Sequence, residues 1–146
     1  TNGEPMRTAN VKDGFAIRNA LLNGYPIAII SGGRNENIRS RYAKLGVEHI
    51  YLSVGSKSDC LVDFMSKTQV NPEEILYMGD DLPDYDVMLK TGIPTCPSDA
   101  VTEIKSISKY ISDRKGGEGC VRDVIEQVLR AQGNWLNTET ITQPSF

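Results

Sequence analysis

Three aspartates lie close together, directly after an apolar segment of the chain. Residues 75–78 read Ile-Leu-Tyr-Met, and Gly79-Asp80-Asp81-Leu82-Pro83-Asp84 follows. Carboxylates at the end of a buried strand are typical ligands of Mg²⁺, which takes one or two of them together with water and phosphate oxygens. Aspartates that begin a helix also cap it and favour its dipole, and this interpretation alone would account for Asp84 and Asp86. For Asp80 and Asp81 we expect ion binding.

A hydroxyl group, two glycines and a cation follow another apolar segment. Residues 26–30 are succeeded by Ser31-Gly32-Gly33-Arg34, which is predicted to open a helix. A hydroxyl and unhindered backbone N–H groups at a helix N-terminus form an anion site, to which Arg34 adds charge. The alternative is that Ser31 is an ordinary helix cap and that the glycines serve only the turn.

Lys57 is predicted to open the helix after a third apolar segment, residues 49–52. A cation at a helix start opposes the helix dipole, so the position is unfavourable unless the lysine faces an anion. Taken singly, Lys57 is typical of a solvated surface lysine. Taken together, the anion site, the cation and the carboxylate cluster are the parts of a Mg²⁺-dependent phosphoryl-transfer site, apart from its nucleophile.

The elements that must hold these residues alternate between short apolar segments and longer amphipathic ones. Between the apolar segments, hydrophobic residues recur at helical spacing. Within the apolar segment 75–78, Tyr77 and Met78 are predicted to belong to the core. The alternation predicts an α/β fold, a Rossmann-like doubly wound parallel sheet with strands buried on both faces. Ligands of such a sheet bind beyond the carboxyl ends of its strands. The predicted strands are residues 26–31, 49–52, 75–78, 93–96 and 109–112.

Residues 1–135 are predicted to form a single domain without a cap insertion. Only 26 positions separate Ser31 from Lys57 and 23 separate Lys57 from Asp80, room for ordinary βα units. Residues 136–146 are polar and aperiodic and are predicted to be a mobile tail. The chain begins in Asn-Gly, a hairpin-turn signal with no strand before it, so we expect the natural N-terminus to be absent. Helix ends are predicted at Gly24, Gly46 and Gly92, and helix or turn starts at Pro72 and Pro83.

The composition excludes several classes of protein. Sixteen Lys and Arg against 19 Asp and Glu in 146 residues, a balance of 16 − 19 = −3, with 39% apolar residues, are typical of one soluble domain with its own core. No apolar stretch approaches the ~20 residues of a membrane span, so we expect no membrane contact. Dispersed cysteines, odd in number, are typical of free thiols in a reducing cytoplasm, where we expect the protein to be. The acidic balance argues against nucleic acid as a partner. Three dispersed cysteines and one histidine argue against zinc.

The order Ser31, Lys57, Asp80-Asp81 resembles motifs II, III and IV of the haloacid dehalogenase superfamily. From about Gly3 to Trp135 the chain is similar to the capless 3-deoxy-D-manno-octulosonate 8-phosphate phosphatases of that superfamily. The segments that carry this resemblance are Val11-Lys12-Asp13-Gly14-Phe15-Ala16-Ile17, Leu45-Gly46-Val47-Glu48-His49-Ile50-Tyr51, Met78-Gly79-Asp80-Asp81-Leu82-Pro83-Asp84, Ser98-Asp99-Ala100, Arg114-Lys115-Gly116-Gly117-Glu118-Gly119 and Ala131-Gln132-Gly133-Asn134-Trp135. The Gly-Gly-Glu-Gly segment and the Ala-Gln-Gly-x-Trp ending are specific to this subfamily.

The resemblance implies a Mg²⁺-dependent phosphatase in lipopolysaccharide precursor synthesis. Its substrate would be a keto-sugar acid phosphate, foremost 3-deoxy-D-manno-octulosonate 8-phosphate, hydrolysed through an aspartyl-phosphate. By matching position, Asp80 would bind Mg²⁺, and Asp81 would orient Lys57 or a metal-bound water. Ser31 and the Gly32 N–H would hold the phosphoryl oxygens, and Lys57 would neutralise charge.

The resemblance also implies a homotetramer, because capless members close their sites with a loop or tail of a neighbouring subunit. Four residues are candidates for contacts with the sugar in this outer layer: Asp13, Arg34, Glu118 and Arg122. Glu118 and Arg122 are predicted to lie in the first turns of a helix, where they could instead be surface charges.

The sequence departs from the family pattern in two places. The first motif, Asp-x-Asp-Gly-Val-x-Thr, supplies the nucleophile and the general acid/base, and it does not occur in the 146 residues. A missing N-terminal segment explains this better than a naturally inactive enzyme. Gly33 stands where the family usually has arginine, and Arg34 is expected to substitute for it.

Three other functions remain open. The substrate would be a related nine-carbon keto-sugar phosphate, or the chain would be a non-catalytic oligomerisation or regulatory domain with the same fold. A phosphoacceptor receiver domain ranks third, because its acidic pair would precede the Ser/Thr and the lysine, whereas Asp80 and Asp81 follow both Ser31 and Lys57.

Overall fold

The computed structural model describes residues 11–136 of the chain. The predicted hairpin at the start of the chain and, apart from Leu136, the predicted mobile tail lie outside these residues. No helix within the described part is long and apolar enough to cross a lipid bilayer. The helices are α1 (Val11–Leu22), α2 (Glu36–Lys44), α3 (Lys57–Thr68), α4 (Tyr85–Leu89), α5 (Thr102–Ile107) and α6 (Cys120–Ala131). The strands are β1 (Ala28–Ile30), β2 (His49–Tyr51), β3 (Leu76–Met78), β4 (Ile93–Cys96) and β5 (Tyr110–Ile111).

The described residues divide into two compact units, residues 11–53 with 121–136 and residues 54–120. In the first unit β1 and β2 pair in parallel. In the second unit β3, β4 and β5 form a parallel sheet in that order, with Tyr77 opposite Pro94. The predicted α/β class with parallel strands is confirmed, and each strand except β4 is shorter than predicted.

The strands differ in burial because they differ in their neighbours. The side chains of β1, β2 and β3 are only half-buried, whereas residues 94–96 of β4 are buried. The prediction that the strands are buried on both faces is therefore wrong for β1, β2 and β3, and also for β5, whose residues are half-buried or exposed. Each of these four strands has a partner on one side only, while β4 lies between β3 and β5.

Each unit has an apolar core of its own. In the second unit α3, α4 and α5 supply Leu61, Val87, Met88 and Ile104, which are at most 3% exposed. In the first unit Ile17, Leu45 and Val47 form a smaller core, against which Val121 and Ile125 of α6 pack. The helical spacing of apolar residues in the sequence therefore predicted the buried faces of α3 and α6.

Two of the three glycines predicted to end helices do so, whereas Gly92 lies beyond Lys90, the C-cap of α4, and has another role. Gly24 and Gly46 have φ angles of +88° and +101°, which favour glycine after a helix. Gly92 instead allows two segments to approach, since a Cβ atom there would lie 2.1 Å from the carbonyl oxygen of Glu73. Pro72 and Pro83 lie in short 3₁₀ turns, Pro72–Glu74 and Leu82–Asp84, as the turn prediction allows.

Candidate active site

Asp84 in the second unit is 4% exposed, and its carboxylate accepts four hydrogen bonds. Its Oδ1 accepts from Nζ of Lys57 and from the hydroxyl of Tyr77, each at 2.8 Å. Its Oδ2 accepts from the backbone N–H groups of Asp80 at 3.0 Å and of Asp81 at 3.3 Å. This one side chain therefore joins the predicted cation to the backbone of both predicted acidic residues.

Residues 79–84 after β3 form a loop, the acidic loop, in which the side chain of Asp84 turns back to the backbone of Asp80 and Asp81. Residues Leu82–Asp84 form a 3₁₀ turn, in which the side chain of Asp81 accepts a hydrogen bond from the N–H of Leu82 at 2.8 Å. Gly79 is needed because a Cβ atom there would lie 2.6 Å from Cβ of Asp84 and 2.7 Å from Sδ of Met88. A larger residue at position 79 would therefore displace the buried carboxylate.

Two backbone hydrogen bonds fix the same loop to the rest of the second unit. The N–H of Gly79 donates to the carbonyl of Thr95 in β4 at 3.1 Å, and the N–H of Val101 donates to the carbonyl of Asp80 at 3.1 Å. The acidic loop is therefore held at the carboxyl end of β3, where the sequence predicts the site.

Lys57 is placed as predicted, at the first position of α3. The side chain of Ser56 caps this helix by accepting from the N–H of Asp59 at 3.2 Å. The side chain of Lys57 is 20% exposed, and its ion pair with Asp84 is nearly enclosed. The carboxylate compensates a cation that both burial and the helix dipole disfavour.

The partner of Lys57 corrects two sequence-based interpretations. Asp84 was expected to cap a helix; its side chain makes no capping bond to α4, but with Asp81 it forms the capping box of the 3₁₀ turn Leu82–Asp84. The family resemblance implied that Asp81 orients Lys57, but the residue that binds Lys57 is Asp84. The turn at Pro83 brings the carboxylate of Asp84 back to β3. A buried lysine at a helix start requires a counter-ion, and this requirement is the signal that could have identified Asp84.

Tyr77 was predicted to be a core residue, and the structure shows a polar role besides. Its ring packs against the core of the second unit, but its hydroxyl donates to Asp84. Burial, followed by the negative charge and the hydrogen bond of Asp84, raises the pKa of the Tyr77 phenol. The phenol therefore remains a hydrogen-bond donor at neutral pH.

The side chains of Asp80 and Asp81 are exposed at the carboxyl end of β3. No group of three or more His, Cys, Asp or Glu within residues 11–136 is arranged to hold a metal ion. Mg²⁺ commonly takes one or two protein carboxylates and completes its shell with water and phosphate oxygens. The hard oxygen ligands of Asp80 and Asp81 fit such an ion.

Ser31 and Gly32 lie in the first unit, in a turn after β1. The hydroxyl oxygen of Ser31 accepts from the N–H of Gly33 at 3.0 Å. Helix α2 begins only at Glu36, and the side chain of Asn35 caps it by accepting from the N–H of Asn37 at 2.8 Å. The prediction that residues 31–34 open the helix is therefore wrong, because Asn35 is the cap.

Asp13 and Arg122, two of the four candidates for the outer layer, meet within the first unit. Oδ1 of Asp13 accepts from the backbone N–H of Arg122 at 2.9 Å. Burial raises the pKa of Asp13, and this hydrogen bond and the charge of Arg122 oppose the rise. The Arg122 guanidinium contacts Glu126 at 2.8 Å and lies 4.8 Å from the centre of the Trp135 ring.

The other two outer candidates, Arg34 and Glu118, have exposed side chains in loops. Glu118 precedes α6, which begins at Cys120, so its predicted position inside the first turns of that helix is wrong. The backbone N–H of Glu118 donates to the carbonyl of Lys115 at 3.0 Å, closing a turn in the glycine-rich segment.

A cavity of about 320 Å³ lies elsewhere, at the amino ends of β1 and β2. Its polar lining includes Arg18, Tyr25, Glu48 and His49. Because ligands of parallel sheets bind beyond the carboxyl ends of the strands, we place the candidate site at the acidic loop rather than in this cavity.

Proteins of known function resemble the chain along most of its length. It is 37% identical over 132 residues to the 3-deoxy-D-manno-octulosonate 8-phosphate phosphatase KdsC of Salmonella typhi, covering 90% of this chain and 70% of that protein. The Moraxella catarrhalis phosphatase of the same name, solved with magnesium, phosphate and KDO, superposes with a TM-score of 0.84 at 30% identity over 91% of this chain and 76% of that chain. A cobalt-bound Haemophilus influenzae homologue gives 0.84 at 26% identity over 90% and 76%. No family model matches the chain.

The four bonds of Asp84 lead to a prediction about stability. In Asp84→Asn, whichever way the amide lies, two of the four donors lose their acceptor and Lys57 loses its counter-ion. We expect the free energy of unfolding to fall by about 2–3 kcal/mol, measured by urea denaturation. Asp86→Asn, at an exposed carboxylate of the neighbouring helix, is the control and should change it by less than about 0.5 kcal/mol. Equal unfolding midpoints for the two variants would contradict the assignment.

Proposed function

Because the chain belongs to the 3-deoxy-D-manno-octulosonate 8-phosphate phosphatases of the haloacid dehalogenase superfamily, we propose that it hydrolyses 3-deoxy-D-manno-octulosonate 8-phosphate with Mg²⁺ as its metal. Membership in this family makes it a phosphoric monoester hydrolase. The magnesium, phosphate and KDO in the Moraxella catarrhalis structure support the choice of substrate and metal. The family resemblance favours lipopolysaccharide precursor synthesis as the pathway of this reaction.

The observation that carries this proposal is the buried pair of Lys57 and Asp84. The carboxylate holds Lys57 Nζ at 2.8 Å and, through its other oxygen, the backbone of Asp80 at 3.0 Å. A cation and two exposed carboxylates are thereby held by one group at one strand end. A phosphate monoester requires a positive charge near its oxygens and negatively charged ligands for the divalent metal.

The residues of the proposed site have different roles, which follow from the charge and hydrogen-bonding groups of each. Asp80 holds Mg²⁺ through its side chain, and Asp81 orients a water molecule beside it. When bound, Mg²⁺ offsets the negative charge of the phosphoryl oxygens. Ser31 and the Gly32 N–H donate to those oxygens, and Lys57 stabilises the charge that develops during transfer, which is worth a few kcal/mol where water is excluded.

The reaction proceeds in two displacements. An aspartate carboxylate attacks phosphorus, and the sugar oxygen leaves and takes a proton from the general acid of the family's first motif to become a hydroxyl. Water then attacks the aspartyl-phosphate, gives its proton back to that general acid/base, and releases aspartate and phosphate. The family's nucleophile belongs to the motif Asp-x-Asp-Gly-Val-x-Thr, which is absent from these 146 residues. The outer residues Asp13, Arg34, Glu118 and Arg122 are proposed to contact the sugar.

The first test compares two chains. The protein expressed from its complete reading frame is expected to release phosphate from 3-deoxy-D-manno-octulosonate 8-phosphate with Mg²⁺, to lose this activity in EDTA and to regain it when Mg²⁺ is added. The 146 residues alone are expected to release none, because they lack the nucleophile. Turnover by the 146 residues would contradict the aspartyl-phosphate mechanism. Turnover by neither chain would favour a non-catalytic domain, and a higher kcat/KM on a nine-carbon keto-sugar phosphate would reassign the substrate.

The second test separates the roles of Asp80 and Lys57 in the product of the complete reading frame. Asp80→Asn should abolish Mg²⁺ binding and most activity, because an amide is a poorer ligand for a hard dication. Lys57→Ala should retain Mg²⁺ binding, measured by titration calorimetry, and lower kcat by roughly a hundredfold or more. An Asp80→Asn enzyme with full activity and an unchanged Mg²⁺ requirement would refute the metal role.

We also propose that the subunits form a homotetramer, since a phosphoryl-transfer site without a cap needs a neighbour to exclude water. The absence of a cap insertion between Ser31, Lys57 and Asp80 supports this. Multi-angle light scattering on the product of the complete reading frame should give four times the chain mass. A fully active monomer would refute it.

A further inference from the structure

The hydrogen bonds at Asp84 leave little freedom for Lys57. An ionised carboxylate offers about four acceptor positions, two on each oxygen. The backbone N–H groups of Asp80 and Asp81 bind Oδ2, and the Tyr77 hydroxyl binds Oδ1. All three of these donors belong to β3 or to the loop that follows it. Lys57 donates at 2.8 Å to the place that remains on Oδ1.

Such a limitation matters because lysine is a poorly oriented donor. Its ammonium group has three equivalent N–H donors on a flexible four-carbon stem, so a carboxylate by itself does not define where Nζ lies. A second donor on the same oxygen excludes alternative positions of Nζ around that oxygen. Tyr77 is suited to be this second donor because its ring packs against the core of the second unit. Its hydroxyl hydrogen is then free to rotate only about the bond between the ring and the oxygen.

We propose that Tyr77 is a positioning residue for phosphoryl transfer, which acts through Asp84 to hold the ammonium group of Lys57 in one place. The hydroxyl touches neither the phosphoryl group nor the metal in this role. The inference rests on the proposed function of Lys57, whose charge must lie where negative charge develops in the transition state. In Tyr77→Phe the ring would fill the same space, but one acceptor position of the Asp84 carboxylate would be left empty.

The experiment uses Tyr77→Phe in the product of the complete reading frame with Mg²⁺. We expect kcat to fall by about tenfold, while KM for the sugar phosphate changes less than about twofold, because the lost alignment matters more in the transition state than in the ground state. Tyr85→Phe is the matched control, since Tyr85 packs against the same core and its hydroxyl is not among the four donors to the Asp84 carboxylate. It should leave both constants unchanged.

A double-mutant cycle decides whether Tyr77 acts through Lys57. In a Lys57→Ala background, Tyr77→Phe should cause no further loss of kcat, because the group it positions has gone. A further loss equal to that seen with Lys57 present would overturn the proposal and assign Tyr77 a structural role. An unchanged kcat in the single variant would overturn it as well.

A measurement without turnover keeps this proposal distinct from the proposed function. Acetylation of lysines by an amine reagent, followed by mass spectrometry, should be several-fold faster at Lys57 in Tyr77→Phe than in the unchanged protein. Lys67, whose side chain is 60% exposed, should react at the same rate in both. If labelling rises but no chain hydrolyses a sugar phosphate, the proposed function fails while the contact stands. If kcat falls without faster labelling, positioning through Asp84 is refuted.

Discussion

The buried charge of Asp84 is the constraint on which the second unit's chemistry depends. An isolated carboxylate at 4% exposure would cost several kcal/mol of free energy. Here four groups, including the Lys57 ammonium, donate hydrogen bonds to the carboxylate and compensate its charge. The requirement for all four explains why glycine occupies position 79, why the chain turns at Pro83 and why a lysine occupies the start of α3.

The same arrangement links stability to chemistry. Lys57 is unfavourable at the first position of a helix and becomes favourable only through Asp84. In return, its ammonium group is held near the acidic loop, where a phosphate would meet it. A group placed in this way needs little reorganisation during the reaction, which is the general advantage of preorganised charges in enzymes. The free-energy cost of burying the ion pair is compensated by its hydrogen bonds, and the proposed function of Lys57 would be a reason to retain it.

Two residues of the first unit that are proposed to contact the sugar, Asp13 and Arg122, also have structural contacts. Asp13 of α1 accepts a hydrogen bond from the N–H of Arg122 in the first turn of α6, 109 positions later in the chain. The Arg122 side chain contacts Glu126 and lies above the Trp135 ring. Because burial raises the pKa of Asp13, the charged carboxylate lowers stability as the pH rises through its folded pKa. A role in binding the sugar would be a reason to keep a charged residue at that place.

The sequence alone determined the element order, the parallel class and most of the candidate site. Strand positions follow from short apolar runs, and the place of Asp80 and Lys57 follows from the strand and helix that each one ends or begins. These are local signals, with a period or a punctuating residue that the chain displays directly. The sequence failed where two local signals compete, as at α2, where Asn35 rather than Ser31 supplies the cap.

Only the tertiary structure decided which acidic residue Lys57 meets and what Tyr77 does. Asp84 resembles any helix cap when it is read along the chain, and Tyr77 resembles any half-buried strand residue. Their roles depend on the distance between α3 and the loop after β3, elements 27 positions apart. Hydrogen-bond partners at that separation depend on packing, because burial converts an ordinary carboxylate into one that must find every donor within reach.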